Sequence, residues 1–179
     1  GASSVPAHSY TQLEIESASH SAIQLSGSTG AEQWLWFADD TTATPVGGIT
    51  YYHGGPYMGF RVESAERLRI DSTGNVGIGV VPKNVNGYTA LEVKDAYLGS
   101  SGNSDLEFGA NVYYDSGWKY RNTLAATVVE QYNGQHLFKV APSGTADSAI
   151  SFTTAMTIAN DGNVGIGTAP SSPLHVKRA

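Results

Sequence analysis

The six residues Gly-Asn-Val-Gly-Ile-Gly occur twice in this chain, at 74–79 and at 162–167, and no other feature constrains the fold as strongly. In the first copy Leu68 and Ile70 alternate with Arg69, as in a strand with one buried face. Asp71-Ser-Thr-Gly74 follows with turn chemistry: the Asp carboxylate bonds backbone two residues on, and glycine takes a φ > 0 position. Asn75 to Gly79 then returns as a second strand, with Val76 and Ile78 on one face and bare glycine backbone on the other. Glycine weakens a strand and is tolerated where another backbone comes very close. Something is therefore expected to lie against the bare side. The second copy, Met156 to Gly167, keeps the apolar alternation, the turn glycine Gly162 and the whole six-residue run, which signals duplication.

The duplication extends beyond the hairpin. Gln12-Leu-Glu-Ile-Glu16 is echoed by Ala90-Leu-Glu-Val-Lys94 and by Pro173-Leu-His-Val-Lys177. Leu13 to Leu91 and Phe60 to Phe138 are both 78 residues, whereas Gly74 to Gly162 is 88. The second unit thus carries ten extra residues between Val140 and Met156, around Pro142-Ser-Gly-Thr-Ala-Asp-Ser148, a stretch of loop composition. Length differences confined to turns are what structural repeats tolerate. This divides the chain into a leader (1–10), a first β module (11–82), a second β module (83–170) and the start of a third module or a linker (171–179).

Within the first module Gln33–Phe37, Gly48–Tyr52 and Tyr57–Val62 read as strands, the last two joined by His53-Gly-Gly-Pro56. In the second, Leu106–Tyr114, Trp118–Asn122, Leu124–Tyr132 and His136–Val140 follow the same plan, and Asn133-Gly134 is a strong hairpin signal. With 21 glycines, 10 tyrosines, only 15% charged residues and no sustained helical period, an all-β chain without substantial helix is expected. A net charge of -6 with no basic stripe argues against nucleic acid. The absence of cysteine excludes disulfides and thiolate metal sites. No apolar run approaches the ~18 residues of a membrane-spanning helix, so no membrane insertion is expected.

Arg67-Leu-Arg-Ile-Asp-Ser-Thr-Gly-Asn-Val-Gly-Ile-Gly79, with Gly167-Thr-Ala-Pro170 and Pro173-Leu-His-Val176, resembles a module of bacteriophage tail fibres. Its form there is I-D-S-x-G-N-V-G-I-G-T-x-x-P followed by L-H-V, often in tandem and often upstream of an intramolecular chaperone of the endosialidase type. Bacterial surface fibres, including those of predatory bacteria, look similar. The first copy departs from the pattern with Val80-Val81-Pro82. The resemblance implies an elongated, intertwined homotrimeric fibre of tandem β modules on a virion tail or cell surface. It also implies a non-enzymatic adhesin, as stalk or tip, that recognises a bacterial surface glycan or another envelope receptor. On that reading Val76, Gly77, Ile78, Gly79, Val164, Gly165, Ile166 and Gly167 pack about the trimer axis. A polysaccharide depolymerase fragment and a monomeric β-sandwich sugar-binding module are the alternatives.

Aromatic clustering is the clearest recognition signal, because Tyr and Trp offer flat apolar faces with polar edges that suit sugar rings. Trp34, Trp36, Tyr52, His53 and Tyr57 in the first module and Trp118 and Tyr120 in the second are the candidate glycan-binding residues. Trp118, flanked by Gly117 and Lys119 beside a turn, is expected to be the most exposed. The same aromatics also fit pleated sheets and fill β cores. Asp39, Asp40, Glu63 and Glu66 supply carboxylates, but no spacing singles out a glycosidase pair, and no Gly-x-Ser-x-Gly elbow exists. His8, His20, His53, His136 and His175 are isolated from one another, and Asp71-Ser-Thr-Gly-Asn75 lacks the closing Glu of a calcium loop. No catalytic residue, metal or cofactor is expected.

Overall fold

The computed structural model describes residues 19–38, 46–83, 87–102 and 105–177. The leader, the Leu13 strand, Asp39 and Asp40 lie outside them, as does His8. Among the described residues there are fifteen strands and no helix. The first module supplies β1 (Glu32–Phe37), β2 (Gly47–Tyr52), β3 (Tyr57–Val62), β4 (Ala65–Asp71) and β5 (Val76–Ile78). The second supplies β6 (Thr89–Val93), β7 (Ala96–Ser100), β8 (Leu106–Ala110), β9 (Val112–Tyr114), β10 (Trp118–Tyr120), β11 (Ala126–Tyr132), β12 (Gln135–Ala141), β13 (Thr153–Ile158) and β14 (Val164–Ile166). Last comes β15 (Leu174–Val176).

Thirteen of these strands form one sheet, laid down in chain order from β1 to β15 with only β9 and β10 left out. Neighbours are antiparallel except at two joints, β5 with β6 and β14 with β15, where pairing is parallel. Val76 opposes Leu91 at the first joint and Val164 opposes Leu174 at the second. The terminal strand thus stands against the second hairpin as β6 stands against the first.

Strand register sorts side chains onto two faces, because successive residues point to opposite sides. On one face an apolar row runs through Tyr51, Met58, Ile70 and Val76. It continues through Leu91, Leu98, Phe108, Val129, Phe138 and Met156 to Ile166 and Val176. Leu35, Ile49, Phe60, Leu68, Ile78 and Val93 make a parallel row across the first joint. Much of this face is uncovered: Phe60, Ile78, Val93, Leu98, Phe108, Phe138, Val140 and Ile166 are each 37–45% exposed.

The opposite face is covered where the second module lies. There Ala90, Tyr97, Ala126, Val128 and Ala141 of the sheet pack with Val112 and Tyr120 of the β9–β10 ribbon. Ile150 and Phe152, from the segment between β12 and β13, pack against the same cluster. The ten extra residues foreseen as loop are therefore part of a lid. Lys119 bridges Ala149, the Tyr120 amide donates to Ser148 O (3.1 Å), and the Ile150 amide to Trp118 O (2.9 Å). Beneath this lid the Glu92 carboxylate is fully buried; it accepts from the Lys83 amide (3.0 Å) and forms an ion pair with Arg121.

Two expectations need correction. Leu106–Tyr114 is not one strand, because Asn111 takes φ 60° and turns the chain out of the sheet. Its side chain holds that break: Nδ2 donates to the carbonyls of Asn122 (3.0 Å) and Leu124 (2.9 Å), and Oδ1 accepts from the Asn122 amide (2.7 Å). Secondly, the bare glycine side is filled by the chain itself. A Cβ on Gly77 would overlap the Val80 carbonyl oxygen and stand 2.7 Å from Pro82 Cδ. One on Gly165 would overlap the Thr168 carbonyl oxygen and stand 2.9 Å from Pro170 Cδ. Gly79 and Gly167 take φ 67° and 69°, the left-handed turn that starts this fold-back. Gly77 and Gly165 thus answer to their own linker, whereas a Cβ on Gly79 or Gly167 would meet only Lys94 Cγ at 3.8 Å or Lys177 Cβ at 3.5 Å.

Candidate functional site

The second face of the first module carries no such lid among the described residues, and most of the predicted aromatics gather there. Trp34 and Trp36, two apart on β1, put both indoles on this face, stacked with centroids 4.0 Å apart and planes 7° from parallel. Their cross-strand partners are small: Trp36 stands opposite Gly48 and Trp34 opposite Thr50, which is 1% exposed. Trp36 remains 42% exposed. Opposite Gly48 on β3 comes Arg61, whose guanidinium lies 5.7 Å from the Trp34 ring centroid. One guanidinium nitrogen, Nη2, donates to the Ser64 carbonyl (2.6 Å).

Beside the indoles a second aromatic group is tied down by charge. Tyr52 and Tyr57 face each other across the β2–β3 pair, centroids 5.6 Å apart. Arg69 of β4 lies 3.7 Å over the Tyr57 ring while its fork grips both oxygens of Glu66, at 2.7 and 2.8 Å. Burial holds the Tyr57 hydroxyl above its ordinary pKa, and the Glu66 hydrogen bonds hold Arg69 above its own. Both carboxylate oxygens of Glu66 are thus engaged by Arg69. At the far end of β1, Glu32 is in register with Tyr52. The surface accordingly runs from a cation at Arg61 to a carboxylate at Glu32, with the aromatic rings between.

The remaining candidates fall elsewhere. His53 sits in the β2–β3 turn, edge-on to Tyr51 at 4.8 Å. Trp118 is not the open aromatic its flanking residues suggest. It is partly buried against the core, edge-to-face with Tyr97 (5.4 Å), Tyr114 (5.5 Å) and Phe152 (6.1 Å). Tyr120 is 5% exposed and donates its hydroxyl to the Pro142 carbonyl (2.7 Å). Both belong to the lid. Val76, Ile78, Val164 and Ile166 lie on the apolar face, opposite Gly77 and Gly165. Arg61 and Arg69 were missed, and Glu66 was singled out only as one carboxylate among four, although the alternation of Tyr57 to Val62 already sets Tyr57 and Arg61 on one side.

The lid of the second module hides one more titratable group. Glu107, 4% exposed on β8, is directly opposite Glu130 of β11 and accepts from the Tyr88 hydroxyl at 3.4 Å. Burial first, and then the Glu130 charge, push its pKa up to about 7. Glu130 is itself paired with Lys139. Among the described residues no three of His, Asp and Glu come together as a metal site requires. Compared with known protein families and with the curated proteins, the chain matches none.

Proposed function

We propose that this chain is a non-enzymatic segment of a trimeric, tail-fibre-like adhesin, displayed outside the cell or virion, that recognises a bacterial surface glycan or another envelope receptor. The observation that carries the assembly is the apolar face. Twelve consecutive strands of the sheet contribute to one row, so at ~4.8 Å per strand it extends over about 53 Å. Largest apolar patches on monomers are typically about 300–600 Å² and are often functional sites. Here uncovered Phe, Ile, Leu and Val recur from strand to strand, which suits a surface closed by copies of the same chain.

The number three comes from the resemblance of the Gly-Asn-Val-Gly-Ile-Gly modules to tail fibres. Three such sheets turned inward close a prism whose interior holds Phe60, Ile78, Leu98, Phe108, Phe138 and Ile166. The opposite faces point outward, and each weak site is presented three times, so avidity gains ~10² without new contacts. A monomeric β-sandwich is disfavoured, because a sandwich covers its apolar face with a second sheet. The two-stranded β9–β10 ribbon packs on the other side. Light scattering on the eluting protein tests the proposal. Three times 18.8 kDa is the expected mass, and a stable particle of 18.8 kDa overturns it.

A further inference from the structure

We infer that the outward face of the first module is a binding site for an anionic saccharide, held with its acidic group against Arg61 and its ring on Trp36. The inference rests on the adhesin reading above and adds to it a place and a ligand chemistry. Four observations converge on it.

The first is the difference between the two modules. The same face of the sheet is sealed in the second module by β9–β10 and the 142–152 segment, yet in the first it leaves Trp36 42% exposed. Second, the indoles are pre-ordered: stacking at 4.0 Å fixes both rings, so a ligand that packs on Trp36 meets an already immobile surface. Third, among the described residues Arg61 forms no ion pair. It is anchored by one bond to the Ser64 carbonyl, and its fork matches a carboxylate or phosphate. Fourth, Glu66, the register partner of Arg61 on β4, gives both its oxygens to Arg69, and Glu32 lies at the other end of β1, so Arg61 is left as a cation without an ion-pair partner among the described residues.

These positions set an orientation. From Trp36 to Glu32 is four residues along a strand, about 13 Å, which accommodates a short oligosaccharide rather than a lone ring. The acidic group lies at the Arg61 end. Hydroxyls meet the Tyr52 hydroxyl and the Glu32 carboxylate at the other, where an acidic group would be repelled. The face is opposite the apolar one, so assembly leaves it accessible.

The test is calorimetric titration of the intact oligomer with sialyllactose (a carboxylate), mannose 6-phosphate (a phosphate) and lactose (neither), with tryptophan fluorescence read in parallel. Saturable binding of one or both anionic sugars, at least about tenfold tighter than lactose, is expected, and which of the two binds separates carboxylate from phosphate recognition. Trp36→Ala should weaken that binding about tenfold or more, and Arg61→Gln should reduce the anionic sugars to the level of lactose. Tyr132→Ala, an exposed aromatic of the second module, should change nothing. All three variants should keep the wild-type mass and circular dichroism.

Equal binding of lactose by the wild-type protein overturns the anionic class. Undiminished binding by Trp36→Ala and Arg61→Gln overturns the site. Retention on purified lipopolysaccharide or peptidoglycan sacculi separates the two levels. If wild type and both variants are retained alike, this site falls while the adhesive reading stands. If the wild type binds neither these surfaces nor any of the sugars, both fall.

Discussion

The fully buried Asn75 accepts, at its Oδ1, a 2.8 Å hydrogen bond from the amide of Ala90, fifteen residues further on. Its Nδ2 donates to Thr73 Oγ1 (2.8 Å) and Asp71 Oδ2 (3.2 Å), so one side chain ties the hairpin turn to the strand that begins the next module. In the second copy Asn163 keeps its bond to Asp161 (2.8 Å), but the residue in Ala90's place is Pro173, which has no amide hydrogen to give.

That asymmetry makes the two asparagines unequal. Asn75→Ala strands the buried Ala90 amide and should cost about 1–3 kcal/mol, whereas Asn163→Ala should cost well under half as much. Urea denaturation of the two variants side by side measures the difference. Equal losses would mean that the joint is held by something other than this bond.

The glycines beneath the returning linkers set a second expectation. Gly77→Ala and Gly165→Ala each push a methyl group into the linker carbonyl and proline ring, and should destabilise by about 1–3 kcal/mol each through overpacking. Gly74→Ala meets no neighbour within 4 Å; its cost is the strain of φ 89°. Thermal melts rank the three variants, and a neutral Gly77→Ala would contradict the close approach of Val80 and Pro82 to Gly77.

Charge placed on the apolar face should undo assembly while leaving the fold of each chain intact. Phe138→Asp, 37% exposed in the single chain, inserts a carboxylate into the proposed interior, where an unpaired ion costs several kcal/mol. The expected outcome is a monomer by light scattering with unchanged far-ultraviolet circular dichroism. An unchanged oligomer would exclude this face from the interface.

Glu107 makes stability depend on pH in a particular direction. Its folded pKa, about 7, lies above its ordinary value of 4.5, so the folded state holds its proton more tightly. The contribution is complete below about pH 4.5 and is lost as pH rises through about 7. The urea midpoint should therefore be lower at pH 8 than at pH 6, and Glu107→Gln should flatten that dependence. A midpoint that rises over the same interval, with Glu107 the varied residue, would reverse the assignment.

The duplicated hairpin, its turn glycines and the period-two face of Met58, Phe60 and Val62 were legible because each is written within a few consecutive residues. Asn133-Gly134, at φ 51° and 73°, makes the expected tight turn. Glu63-Ser64 makes a similar one at φ 52° and 57° without any glycine to announce it, so the short β3–β4 connection was not foreseeable. Trp118 was misplaced for a different reason. Gly117 and Lys119 give it exposed neighbours in the chain, while Tyr97, Tyr114 and Phe152, which surround it in space, lie up to 34 residues away. The break at Asn111 likewise depends on carbonyls of residues 122–125 that no local pattern reveals.

The parallel joint between β5 and β6 recurs between β14 and β15, and seven strands separate one from the other in the order of the sheet. The second module therefore advances the sheet by about 34 Å, at ~4.8 Å per strand, and hands it on in the orientation in which it was received. Length along the sheet thereby becomes an additive quantity, adjustable by copying a gene segment in frame, while the chemistry of either face is free to change from copy to copy.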